Sequence, residues 1–159
     1  MPEIIIVTGK INSGKTTFFE KLIDIEKRDG NFPTGIIAPG IFNDKIKIGY
    51  DVVDIASGIS MTLARTTPFA NGNIEFGRFI FSERAFAFAK EALTNFKKGG
   101  VVFLDEAGPM ELSGKGHASS LRMLLDSDIA RLYIIVREEL LNQFKAEFLG
   151  AQSHKIMEV

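Results

Sequence analysis

Two short stretches hold the residue types that phosphate chemistry needs. The first, Gly9-Lys10-Ile11-Asn12-Ser13-Gly14-Lys15-Thr16, fits the pattern G-x-x-x-x-G-K-[ST] at every fixed position. Its glycines let the backbone curl until several N–H groups converge on one anion, at the positive end of a following helix. Lys15 then reaches the β- and γ-oxygens of a nucleoside triphosphate and the Thr16 hydroxyl is placed to ligate Mg²⁺. Thr17, one residue on, lies toward the α-phosphate. Gly9 through Thr17 thus reads as a nucleotide-binding segment, with a nucleoside triphosphate as substrate and Mg²⁺ as cofactor.

The second stretch is Val101-Val-Phe-Leu-Asp105-Glu106, four apolar residues followed by two carboxylates. An aspartate at the C-terminal end of a buried strand sits where ligands bind in open α/β sheets, so Asp105 is the second metal residue beside Thr16. Glu106 is the candidate base for an attacking water, with a solvated surface carboxylate as its rival. Arg137 ends the apolar run Leu132–Val136 and is expected at the same sheet edge, where a cation meets charge developing on the transferred phosphoryl group. Lys15, Glu106 and Arg137 make the catalytic set. Asp105-Glu-Ala-Gly108 also fits D-x-x-G, but no N-K-x-D follows to read guanine, so the base stays open.

Other candidates are weaker. Arg65, Arg78 and Arg84 flank a glycine-rich segment and read as surface arginines. His117 and His154 lack metal-ligand spacing. Phe81, Phe86, Phe88 and Phe96 read as core and its margins, with stacking on a base as the alternative.

The elements that must position these groups follow from periodicity. Glu3–Thr8 is a continuous β-branched run, suited to a strand buried on both faces, and a helix is predicted over about 15–27. Short strands are expected at 34–38, 45–54 and 60–65, with turns at Asn43-Asp44 and Ser57-Gly58, an antiparallel meander. Thr66–Gly77 reads as a mobile loop. Ser82 is placed to cap a helix over 83–98 that Gly99-Gly100 ends. A strand at 101–105, a helix over 117–125, a strand at 131–136 and a helix over 138–148 complete the alternation. The expected architecture is α/β: one domain over 1–159, a mainly parallel central sheet with helices on both faces and an antiparallel strand-rich segment in the middle third.

Composition narrows the setting. With 45% apolar and 25% charged residues the chain reads as globular. A net charge of −1 without a basic cluster argues against a nucleic-acid partner. The absence of cysteine excludes disulfides and thiol catalysis and suits a reducing cytoplasm. No apolar run is long enough for membrane insertion. Apolar residues around Phe69 to Phe81 are a candidate surface for a protein partner or a homo-oligomer.

At Asp105-Glu-Ala-Gly-Pro-Met-Glu-Leu112 the chain resembles the small thermophile nucleoside-triphosphatases of the THEP type. The resemblance extends from the loop Gly9–Thr16 through Phe32-Pro-Thr-Gly35, Lys47-Ile-Gly-Tyr-Asp-Val52, Leu63-Ala-Arg65 and Gly77-Arg-Phe79. It implies a RecA-like P-loop fold and slow Mg²⁺-dependent hydrolysis of ATP, GTP and other triphosphates. It gives Lys15 and Thr16 the phosphate and metal roles, Asp105 the metal role and Glu106 the water-activating role, and it draws Glu111 into the site without a role. The chain departs from that pattern at Ile36-Ile-Ala-Pro-Gly40, where an acidic-then-basic segment is usual, and at Ala107, where a larger aliphatic is usual. Two other readings share the same phosphate site: a nucleotide-gated adaptor for a transporter or cofactor-insertion system, and a small-molecule or nucleotide kinase.

Overall fold

The computed structural model describes all residues, Met1–Val159. In β1 (Glu3–Gly9), Ile5 and Val7 face α1 (Lys15–Arg28), where they join Phe19, Leu22 and Ile23 in one core layer. Ile4 and Ile6 face the other way, into a larger core with residues of α2 (Glu83–Thr94), α4 (Ala118–Leu125) and α5 (Leu141–Phe144). A strand covered on both faces has no polar side, which is why its sequence does not alternate. Phe19 stands edge-on to Phe103 at 5.1 Å, and Phe103 stacks on Tyr133 at 4.4 Å. Each such fully buried ring contributes about 2–3 kcal/mol.

The remaining strands are β2 (Pro33–Ile37), β3 (Gly40–Asn43), β4 (Ile46–Asp54), β5 (Ser60–Arg65), β6 (Gly72–Phe76), β7 (Phe79–Ser82), β8 (Val101–Leu104), β9 (Arg131–Arg137) and β10 (Lys155–Glu158). They form one sheet in the order β10-β1-β9-β8-β2-β4-β5-β7-β6, with β3 paired to β4. The first five in that order run parallel and the rest antiparallel. The mainly parallel centre and the antiparallel middle third are as expected. In this RecA-like order β9 lies between the strand that feeds the glycine loop and the strand that ends at Asp105. No helix is long and apolar enough to cross a membrane.

Four expectations need correction. The helix predicted to reach Lys98 ends at Thr94. Beyond it, Gly99 N–H donates to Asp128 carbonyl (2.9 Å) and Gly100 N–H to Lys97 carbonyl (2.9 Å), so tertiary and turn bonds win over helix continuation. The segment 66–77, read as a loop, contains β6, which forms a hairpin with β7 around Gly77 and Arg78. As an edge strand with alternate residues exposed, it carries little apolar signal. Residues 138–149 are helical as expected but pass from a 3-10 turn through α5 into a π-helical turn. Finally, β3, β7, β10 and the short helix α3 (Pro109–Leu112) were not foreseen. Ser82 does cap α2, its hydroxyl accepting from Ala85 N–H at 3.1 Å.

Candidate active site

The loop Gly9–Gly14 joins β1 to α1, whose first N–H groups have no partner within the helix. Gly9 is required by crowding: a Cβ there would lie 2.7 Å from both Ser13 Oγ and the Val159 carbonyl oxygen. Gly14, at φ +89°, supplies the left-handed turn into the helix. Lys15 is buried and its Nζ curls back over the loop, donating to the Lys10 carbonyl and lying 3.4 Å from Ser13 Oγ. Burial lowers its pKa, and Arg137 and Lys47 push the same way against Glu106 and Asp105. A phosphate offers this ammonium the anion that its surroundings only partly provide.

Thr16 Oγ1 donates to Asp105 Oδ2 at 2.8 Å, and Ala38 N–H donates to the same oxygen at 3.0 Å. The hydroxyl and the carboxylate therefore meet across the sheet edge, although 89 residues separate them in sequence. Burial lifts the Asp105 carboxyl to about 7, with Glu106 adding to the effect. A buried carboxylate raised that far is short of positive charge, which is what a divalent cation supplies. Mg²⁺ takes hard oxygen ligands, commonly one or two from the protein with phosphates and waters completing the shell, and Thr16 with Asp105 fit that donor set.

Glu106 and Arg137 are half-buried, and Arg137 Nη2 donates to Glu106 Oε1 at 3.2 Å. The β1–β9 register sets Arg137 directly opposite Gly9, so the strand order itself delivers the arginine to the loop. Burial alone would lower the Arg137 pKa, but Glu106 together with Tyr50 and Glu139 outweighs it and the net shift is upward. Lys15, Thr16, Asp105, Glu106 and Arg137 thus share one cleft.

A family model described as NTPase matches residues 4–159. The chain belongs to this NTPase family. Two curated relatives are each named nucleoside-triphosphatase THEP1. That of Methanopyrus kandleri is 29% identical over 136 residues, 85% of this chain and 74% of the relative. That of Methanothermobacter thermautotrophicus is 29% identical over 148 residues, 90% of this chain and 82% of the relative. Among solved structures, a human cancer-related nucleoside triphosphatase superposes with a TM-score of 0.73 at 23% identity, covering 99% of this chain and 88% of that one. THEP1 from Aquifex aeolicus gives 0.73 at 19% identity, covering 98% and 88%. At those identities the two superpositions speak to the fold alone.

Within this NTPase cleft the structure also accounts for Glu111. Its buried carboxylate accepts from Gly108 N–H (2.9 Å) and His117 N–H (2.8 Å), tying together both ends of the loop that follows Asp105-Glu106. Burial raises its pKa to about 7, against the pull of those two backbone bonds. Gly116 makes room for it, since a Cβ there would sit 2.1 Å from Glu111 Oε2. The departures from the THEP pattern fall close by: Ala38 is the backbone donor to Asp105, and buried Ala107 donates its N–H to the Ile135 carbonyl at 2.9 Å.

Ile11, Asn12, Ser13, Gly14 and Thr17 line the cleft with Lys15 and Thr16. The Lys10 side chain is exposed, and that residue serves through its carbonyl. Arg65 lies in the sheet, paired to Asp51 at 3.0 Å and bonded to the Tyr50 and Ala64 carbonyls. Arg84 bonds Asn71 on the surface at 3.2 Å. His117 is buried with its ring edge-on to Phe86, and burial holds its pKa down at about 4, so it is neutral. His154 lies near the Gln152 carbonyl, away from the cleft. Sequence reasoning missed Lys47 and Tyr50, which line the cleft from β4; the signal was the Lys47-Ile-Gly-Tyr50 run, noted only as part of a resemblance.

Proposed function

We propose that this chain hydrolyses ATP and GTP to the diphosphate and phosphate, slowly and with Mg²⁺, in one P-loop domain spanning 1–159. The observation that carries the reading is the meeting of Thr16 Oγ1 and Asp105 Oδ2 at 2.8 Å, beside a Glu106–Arg137 contact of 3.2 Å. The loop N–H groups and the start of α1 hold the β-phosphate, and Lys15 bridges to the γ-phosphate. Mg²⁺ on Thr16 and Asp105 would supply positive charge to the β- and γ-oxygens. Glu106 accepts a proton from the water that attacks the γ-phosphorus. Arg137 orients Glu106 and carries its charge to the equatorial oxygens as the transition state forms. Only Nη2 of Arg137 is engaged with Glu106, which leaves its other N–H groups for the phosphoryl oxygens. The cysteine-free composition supports a cytoplasmic setting, and the near-neutral net charge supports a small-molecule substrate rather than nucleic acid.

The test is phosphate release from ATP and GTP in MgCl₂ and in EDTA, comparing wild type with Glu106→Gln. Release that requires Mg²⁺ and collapses in the variant, while a fluorescent triphosphate still binds, is the expected outcome. Release that is indifferent to EDTA, or a Glu106→Gln enzyme as fast as wild type, would remove this mechanism.

A further inference from the structure

The cleft is larger than the phosphate site. It encloses about 570 Å³ and continues past Glu106 into a chamber walled by β4, β5, β7 and α2. Its strands β4, β5 and β7 lie beyond β8 and β2 in the sheet, on the side away from β10. The phosphate ligands dictate which way a nucleotide runs. With the γ-phosphate between Lys15, Asp105 and Glu106, the α-phosphate lies toward Thr17, and the nucleoside leaves away from Glu106. The chamber therefore lies on the γ-phosphate side, where a second molecule meets the phosphoryl group.

Its lining describes that molecule. One wall is a continuous aromatic series: Tyr50 and Phe79 at 5.4 Å, Phe79 and Phe81 at 6.3 Å, Phe81 stacked on Phe86 at 5.7 Å. Neutral His117 closes the series, 5.1 Å from Phe86. Phe79, Phe81 and Phe86 are only half-buried, so their remaining surface faces the chamber rather than the core. Two cations border the same wall. Lys47 Nζ lies 4.6 Å from the Tyr50 ring centre and donates to its hydroxyl at 3.1 Å, and the Arg78 guanidinium lies 4.6 Å over Phe79. Neither cation forms an ion pair with any carboxylate of the chain. Aromatic surface beside unpaired positive charge fits a flat, apolar ligand that carries an anionic group.

We propose that this chamber is a phosphoryl-acceptor site, taking a small aromatic molecule that bears a hydroxyl and an anionic group. The idea rests on the phosphate chemistry proposed above, with the acceptor hydroxyl standing where water stands in hydrolysis. Glu106 takes the hydroxyl proton, the hydroxyl oxygen bonds to the γ-phosphorus, and the bond from that phosphorus to the β,γ-bridging oxygen breaks. The nucleoside diphosphate leaves with the electron pair, the phosphate ester remains, and the proton passes from Glu106 to solvent. Hydrolysis is then the default when the chamber holds only water.

The experiment incubates the full chain with Mg²⁺, ATP labelled on its γ-phosphate and 4-(hydroxymethyl)benzoate, and separates labelled ester from free phosphate. Label should appear on the benzoate, with the half-saturating benzoate concentration unaffected by ATP. Phe81→Ala and Arg78→Ala should each lower the ratio of transferred to released phosphate by about tenfold. Arg78 is exposed, so its variant guards against a folding artefact at Phe81. Phosphate release to water with no labelled ester overturns the acceptor site and leaves the hydrolase intact. Competition between benzoate and ATP also overturns it, because the chamber would then belong to the nucleoside. A protein that neither releases nor transfers phosphate removes the hydrolase reading, and the acceptor site falls with it.

Discussion

Glu26, near the C-terminal end of α1, is a carboxylate with only 4% of its surface exposed and a full set of donors. Arg131 Nε and Nη2 (3.0 Å each), Tyr133 Oη (2.8 Å) and Asn31 Nδ2 (2.7 Å) all donate to it. Glu26→Ala strips the acceptor from every one of them. Removing one member of a buried, hydrogen-bonded ion pair costs about 3–5 kcal/mol. Arg131 is 30% exposed and keeps Glu3 at 3.8 Å, so water and Glu3 recover part of the loss. The expected destabilisation is about 3 kcal/mol, equivalent to a melting temperature lower by about 6–12 °C. Burial alone would raise the Glu26 pKa, but the hydrogen bonds from Arg131, Tyr133 and Asn31 outweigh it and hold it below the ordinary 4.5. The stabilisation is therefore complete above the unfolded-state pKa and is lost as pH falls through the folded one. Urea unfolding of wild type and Glu26→Ala should differ most at neutral pH and converge in acid. The combined variant Glu26→Leu, Arg131→Leu, Tyr133→Phe should recover most of the loss, since the one donor left behind, Asn31, is only half-buried and can turn to water. A neutral-pH loss below about 1 kcal/mol, or one that persists unchanged in acid, would refute the reasoning.

Lys15→Ala should abolish detectable triphosphate binding and phosphate release; a titration with fluorescent nucleotide indistinguishable from wild type would sink the P-loop assignment. Arg137→Ala should lower kcat by about 10²–10³-fold with little change in KM, because its charge is worth most in the transition state. A raised KM with kcat intact would instead make Arg137 a ground-state contact. Gly116→Ala forces a side chain into Glu111 at φ +61° and should cost about 2–3 kcal/mol in thermal unfolding. Its kcat should also fall at temperatures where the variant stays folded, since the loop after Glu106 loses its tie.

Why some of this was readable in the sequence and some was not follows from where each interaction partner lies. The Gly9–Thr16 loop is built from its own backbone geometry, so eight consecutive residues carry the whole signal. The placement of Asp105 and Arg137 at the cleft was legible because each ends a run buried on both faces, and the parallel sheet brings such ends to one edge. Strand β10 was hidden for the opposite reason: its side chains are exposed, and it is held to β1 by backbone pairing and a surface ion pair from Lys155 to Glu3, which leaves no apolar pattern. Glu111 looked like a site residue without a task because its partners are two backbone N–H groups, Gly108 and His117, whose convergence is a property of the folded loop. The chamber is the extreme case. Lys47, Tyr50, Phe79, Phe81, Phe86 and His117 come from β4, β7, α2 and the start of α4, and each alone reads as ordinary strand, core or surface. The same non-locality bears on function. A phosphate site encoded in one contiguous loop can serve many reactions, whereas the identity of the molecule receiving the phosphoryl group is held by scattered residues. The choice between water and an organic hydroxyl must therefore be sought in the variants at Phe81 and Arg78, not in those of the loop.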